Sequence, residues 1–154
     1  MAQTSATEDR VDALLRGQRP DRIPFFPLGI RGFAAVNVGY GLSEAYSDGQ
    51  KSCQAQLWTQ EQYGFDGFPT YCYGASGAWE FGGEIRFPTG EFEQAPLVVR
   101  FPVKTEEGVW EVKLPSAEMG GALPIAMTLS KAAKAAGATV ITPTQGVFST
   151  ACNI

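Results

Sequence analysis

The sequence predicts an α/β fold built from parallel βα units, with an antiparallel hairpin insertion after the second strand. Three observations predict it. Apolar runs of strand length alternate with segments of helical period, which is the order of a parallel sheet covered by helices. Between Glu84 and Leu114 the rhythm changes to period two, broken by Pro-Thr-Gly and Glu-Glu-Gly turns, as in antiparallel hairpins. A third buried-type strand then arrives near residues 138–143, and the helix that should cover it is not completed by Ile154. Residues 1–154 are therefore expected to form a single, incomplete domain.

The elements follow in order. Ser5 and Glu8 have capping-box spacing, Val11, Leu14 and Leu15 share one face, and Gly17 suits a C-terminal cap, which predicts a helix near 7–16. Ile23 to Ile30 is a continuous apolar run, the pattern of a strand buried on both faces, made irregular by Pro24 and Pro27. Arg31 to Tyr46 is Gly-rich and weakly periodic, a loop with a helical turn. Ser47 or Asp48 caps a helix that runs to Tyr63 and stops at Gly64. Phe65 to Tyr73 reads as a second buried strand, and Ala75 to Phe81 as a short helix. Strands are expected at 84–87, 97–101 and 109–114, a helix at 122–136 ending at Gly137, and a third buried strand at 138–143.

Composition narrows the chemistry. The chain has 154 residues, 44% hydrophobic and 18% charged, which excludes a disordered or fibrous protein. It contains no His, so catalytic His pairs and imidazole zinc sites cannot be built from it. A net charge of −4 opposes a nucleic-acid partner. No apolar stretch approaches the length of a membrane span, and Met1 to Arg10 lacks a signal-peptide core, so a cytoplasmic location is expected. Cys53, Cys72 and Cys152 have no chelate spacing and are expected as reduced, mostly buried thiols, with no metal bound by this chain.

Several segments together resemble one family. They are Glu8-Asp-Arg-Val-Asp-Ala-Leu-Leu-Arg-Gly17, Arg19-Pro-Asp-Arg-Ile-Pro24, Tyr63-Gly-Phe-Asp66, Glu80-Phe-Gly82, Gly83-Glu-Ile-Arg-Phe-Pro88 and Thr144-Gln-Gly-Val-Phe-Ser-Thr-Ala151. In this order they resemble the uroporphyrinogen decarboxylase superfamily, which also holds the methylcobamide:coenzyme M and related corrinoid methyltransferases. The resemblance implies the N-terminal portion of a (β/α)8 TIM barrel, whose sites lie at the C-terminal ends of the strands. It implies zinc and a corrinoid (cobalamin) for the complete protein, with the zinc ligands outside this sequence, and a corrinoid protein as partner.

Candidate residues come from those strand ends. Arg31 is the one arginine where the decarboxylases carry an arginine-rich motif, and it either binds an anionic group of a small-molecule substrate or pairs at the surface with Glu44 or Asp48. Its solitude favours methyl transfer between a corrinoid and a thiol or similar acceptor over decarboxylation of a tetrapyrrole. A non-catalytic half-barrel is the remaining alternative. Glu80, with Tyr73, is the candidate catalytic pair; the bland reading of Glu80 is a capping or solvated acid. Tyr71 and Tyr73 share one face, lining a pocket that binds substrate or filling the core; Cys72 points the other way, as a further substrate-binding candidate or a buried strand-end thiol. Gln145 and Ser149 offer hydrogen bonds to substrate or serve ordinary turns. Uncovered strand edges predict an oligomer or a longer polypeptide.

Overall fold

Helix α4 (Gly49–Tyr63) organises the molecule, and its limits are written locally. The Asp48 carboxylate accepts the Gln50 and Lys51 backbone N–H groups at 2.9 and 3.0 Å, satisfying donors of the first turn. Gly64 ends it in the left-handed region at φ 67°. The computed structural model describes residues 2–89, 93–116, 118 and 120–154, with side chains from Asp9 onward. The expected Ser5–Glu8 cap therefore lies outside the described side chains, as does Gly90 of the Pro-Thr-Gly turn.

In chain order the elements are α1 (Ala2–Leu15), α2 (Arg31–Asn37), α3 (Leu42–Ser47), α4, β1 (Glu84–Arg86), β2 (Leu97–Arg100), a 3-10 turn (Glu107–Glu111), α5 (Leu123–Ala135) and α6 (Val147–Ala151). Helix α4 packs on α2, α3 and α5. Its contact with α5 depends on Gly49: a Cβ there would fall 2.2 Å from the Ile125 carbonyl oxygen and 2.8 Å from the Leu129 nitrogen. Strands β1 and β2 pair antiparallel, Ile85 opposite Val98 and Arg86 opposite Leu97, with a bulge beside Glu84. Ile85, Phe87 and Val98 turn onto a core of Tyr46, Cys53, Tyr71, Tyr73, Leu129 and their small neighbours.

Several expectations about elements are corrected. The segments 23–30, 65–73 and 138–143 carry no strand assignment and form no ladder among the described residues. Pro24, Pro27, Pro69 and Pro143 remove donors a ladder would use. The Asp66 N–H does reach the Phe25 carbonyl at 2.9 Å, but the backbone of Thr70 is taken by a side chain: the Gln56 amide accepts its N–H and donates to its carbonyl, both at 3.1 Å. Nor is the first segment buried on both faces, since Ile23 is 85% and Leu28 95% exposed. The third hairpin strand is instead the 3-10 turn, started where the Thr105 hydroxyl accepts the Gly108 N–H at 3.3 Å. Residues 31–47 form two helices rather than a loop, and 75–82 form consecutive turns rather than a helix. Helix α1 begins at Ala2, so Ser5 lies within it.

Candidate active site

The three extended segments border one cleft of about 340 Å³, lined by residues 26–31, by 65–70 with Cys72, and by Ile141 with Pro143. Its walls are mainly Phe26, Leu28, Phe65, Phe68 and Ile141, with Phe26 and Phe68 tilted together at 5.7 Å between ring centroids. Two charged residues stand on these walls, Arg31 and Asp66, and each is occupied from within the protein.

Arg31 opens α2 and is only 5% exposed, which corrects the surface alternative; Glu44 pairs with Lys51 instead. The guanidinium of Arg31 donates through Nε to the Ser52 hydroxyl at 3.2 Å, through Nη2 to the Thr70 carbonyl at 2.7 Å and through Nη1 to the Cys72 carbonyl. Its charge lies over the rings of Tyr71 and Tyr46, at 4.5 and 5.0 Å from their centroids. The planar fork thus fixes the 70–72 backbone, a task for which a lysine lacks the geometry.

Asp66 is the residue that sequence reasoning passed over. Its carboxylate is buried and accepts Arg10 Nη1 at 2.8 Å, Arg22 Nη1, and the Phe25 N–H at 3.0 Å. Arg10 also holds Asp21 at 2.7 and 2.8 Å. The cluster ties α1, the 19–25 turn and the second extended segment together. Its signal in the sequence was one carboxylate at the head of an apolar run, with Arg10, Arg19 and Arg22 upstream. Arg10, hydrogen-bonded to Asp21, draws that acid down to a pKa of about 2.

The remaining candidates separate by the alternation of the 70–73 segment. Cys72 is exposed and lines the cleft, which corrects the expectation of a buried thiol: its neighbours Tyr71 and Tyr73 take the inward direction. Cys152 is exposed and Cys53 buried. The Tyr71 hydroxyl donates to the Tyr46 carbonyl at 2.6 Å. The Tyr73 hydroxyl donates to Glu80 Oε1 at 2.8 Å, and burial followed by the Glu80 charge pushes that phenol well above its ordinary value. Glu80 also accepts the Gly77 N–H at 2.7 Å and the Ala122 N–H at 3.2 Å, joining the 74–82 turns to the start of α5. Tyr73 and Glu80 stand beside each other, then, on the core side of the segment, away from the walls of the cleft.

Gln145 reaches the carbonyls of Tyr73 and Gly74 at 3.3 and 3.4 Å. The Asn153 amide, unremarked in the sequence, donates to the Gly74 and Ser76 backbone carbonyls at 3.0 and 2.8 Å and to the side-chain Oε1 of Gln145 at 3.3 Å. Together they strap the last segment over the end of the second extended segment. Ser149 is exposed on α6 and does not line the cleft.

Among the described residues no three Cys, Asp or Glu side chains gather as metal ligands, so this donor set does not by itself fit a zinc ion. No helix among the described residues is long and apolar enough to cross a membrane. No curated protein and no solved structure matches the chain. The family model described as Uroporphyrinogen decarboxylase (URO-D) matches residues 6–154. That family is a TIM barrel. With the match running from Ala6 to the last residue, the chain belongs to the uroporphyrinogen decarboxylase family.

Proposed function

We propose that the chain is the N-terminal portion of a (β/α)8 barrel, carrying β1–β2 as an insertion after the second barrel strand, in a methyltransferase of this family. The reaction moves a methyl group between a corrinoid and a thiol or similar acceptor. The observation that carries this reading over decarboxylation is the state of Arg31. A tetrapyrrole bearing up to eight carboxylates calls for cations at the mouth of the barrel, because carboxylates taken out of water need charge-assisted partners. Arg31 is the cation on the cleft wall, and its fork is committed to Ser52, Thr70 and Cys72.

The chain's own residues have clear parts in this reading. Arg31 is a positioning residue that sets the second strand end, and Gln145 with Asn153 keeps the following turn in place. Glu80 and Tyr73 hold α5 against those turns rather than touching substrate. The apolar walls exclude water from an acceptor, which makes a thiolate more reactive by removing its hydration. A corrinoid protein is the partner that brings the methyl group. Ile23 and Leu28, almost wholly exposed, suit an assembly in which further polypeptide covers the first segment.

The test is to supply the native protein, with any chain that co-purifies, with methylcobalamin and a panel of thiols, and in parallel with a porphyrinogen polycarboxylate. Methyl thioether detected by mass spectrometry, with loss of the methylcobalamin visible spectrum, is the expected result. Release of carbon dioxide from the porphyrinogen without methyl transfer overturns the reading, and so does inactivity in both assays.

A further inference from the structure

We propose that the Arg31 guanidinium is one half of a buried ion pair, and that the other half is an Asp or Glu carboxylate on the polypeptide that covers the first extended segment. The inference rests on the reading above, in which residues 1–154 are one portion of a barrel. It makes Arg31 a contact between that portion and the next, rather than a contact with substrate.

The charge is the starting point. Arg31 is 5% exposed and donates to the Ser52 hydroxyl and to the carbonyls of Thr70 and Cys72, all of them neutral acceptors. The rings of Tyr46 and Tyr71 attract the cation without bringing a net negative charge. Among the described residues no carboxylate pairs with it. The acids of neighbouring elements are engaged elsewhere: Glu44 with Lys51, Asp48 with the first turn of α4, Asp66 with Arg10 and Arg22, and Glu80 with Tyr73 and two backbone N–H groups. A buried lysine escapes such a position by shedding its proton, but a guanidinium keeps its charge.

Burial decides where the acid comes from. Arg31 lines the cleft together with Leu28 and Ile141, so its contact with solvent runs through that opening. Ile23 and Leu28, 85% and 95% exposed, give the first segment an apolar surface that calls for a cover. A cover that shuts out water lowers the local dielectric and makes a bare cation more costly, so the negative charge has to arrive with it. A substrate anion serves this need poorly, because it leaves at each turnover and returns the cation to a dry site unpaired.

The fork specifies the kind of acid. A guanidinium has five N–H groups, and the three bonds to Ser52, Thr70 and Cys72 leave one on each terminal nitrogen. A planar carboxylate, with two oxygens on one carbon, is the side-chain acceptor that matches such a pair.

Two experiments on the native protein, with any chain that co-purifies, test this. In the first, Arg31→Lys places an amine at the site and a water-soluble carbodiimide is added. The reagent activates a carboxylate, the amine forms an amide with it, and the carbodiimide leaves as its urea, carrying the displaced oxygen. Mass spectrometry of the digest should show an amide from position 31 to an Asp or Glu outside residues 1–154. A lysine does not reproduce the fork that holds Thr70 and Cys72, so the second experiment is a crystal structure of the unmodified protein, which decides where the variant gives no amide. It should place a carboxylate oxygen from outside residues 1–154 within about 4 Å of an Arg31 terminal nitrogen. An amide confined to residues 1–154, a free anion on Arg31, or a covering polypeptide that brings no acid to it overturns the proposal and leaves the barrel reading standing. A first segment that carries no cover at all overturns both.

Discussion

Replacing Asp66 by Asn should loosen α1 from the rest of the protein. The Asp66 side chain is 1% exposed and sits between Arg10 and Arg22, with the Phe25 N–H as a further donor. The amide keeps the shape and one acceptor but removes the charge that both guanidinium groups face. Removing one partner of a buried ion pair costs about 3–5 kcal/mol, because the other is left uncompensated. Arg22 is 42% exposed and recovers water easily, which puts the cost at the lower end, about 3 kcal/mol. For a chain of this length each kcal/mol moves Tm by about 2–4 °C, so a fall of roughly 6–12 °C is expected. Thermal unfolding followed by circular dichroism measures it. Hydrogen exchange supplies the location: amides of α1 should lose protection before those of α4, since Arg10 is the α1 residue in the cluster. A fall in Tm below about 2 °C, or equal loss of protection in both helices, would refute the cluster as the anchor of α1.

Two further outcomes follow from the same geometry. Asp21, drawn down to about 2 from an ordinary 3.8 chiefly by its hydrogen bond with Arg10, adds stability that is fully present above pH 4 and is lost as pH falls toward 2. The difference in Tm between the native chain and Asp21→Asn should therefore be constant at neutral pH and vanish in acid; a difference independent of pH contradicts the pairing. Burial pushes the Cys53 thiol up to about 11, whereas Cys72 and Cys152 are exposed. Iodoacetamide at mildly alkaline pH should add two groups to the native chain and a third only after unfolding, counted by intact mass.

What the sequence made legible was mostly what neighbours decide. Asp48, Gly64 and Gly137 mark the ends of α4 and α5 because capping is a matter of one turn of chain. The pairing of 84–86 with 97–100 was readable from its period of two. The same period misled at 109–111, where Gly108 and Thr105 close a 3-10 turn before a strand can start. The apolar runs at 23–30 and 65–73 have the composition of buried strands, but pairing depends on what lies alongside, which no run of residues states. The inward direction of Tyr71 and Tyr73 already put Cys72 on the opposite side, so its exposure was in the alternation. Asp66 was not readable as a hub, since its partners Arg10 and Arg22 are 56 and 44 residues away and only the folded chain brings them together.

The grip of Gln56 on Thr70 bears on how the molecule assembles in time. Its two hydrogen bonds span 14 residues, whereas those from Arg31 to Thr70 and Cys72 span 39 and 41. Loops of about ten residues close in roughly 10–100 ns, and helix–coil relaxation takes about 0.1–1 μs. Helix α4 and the extended segment after it can therefore form as an early local unit, which sets the height of Thr70 along the helix before distant residues arrive. Arg31 then docks late, onto carbonyls already in register. Loss of Gln56 should slow folding, while loss of Arg31 should mainly hasten unfolding.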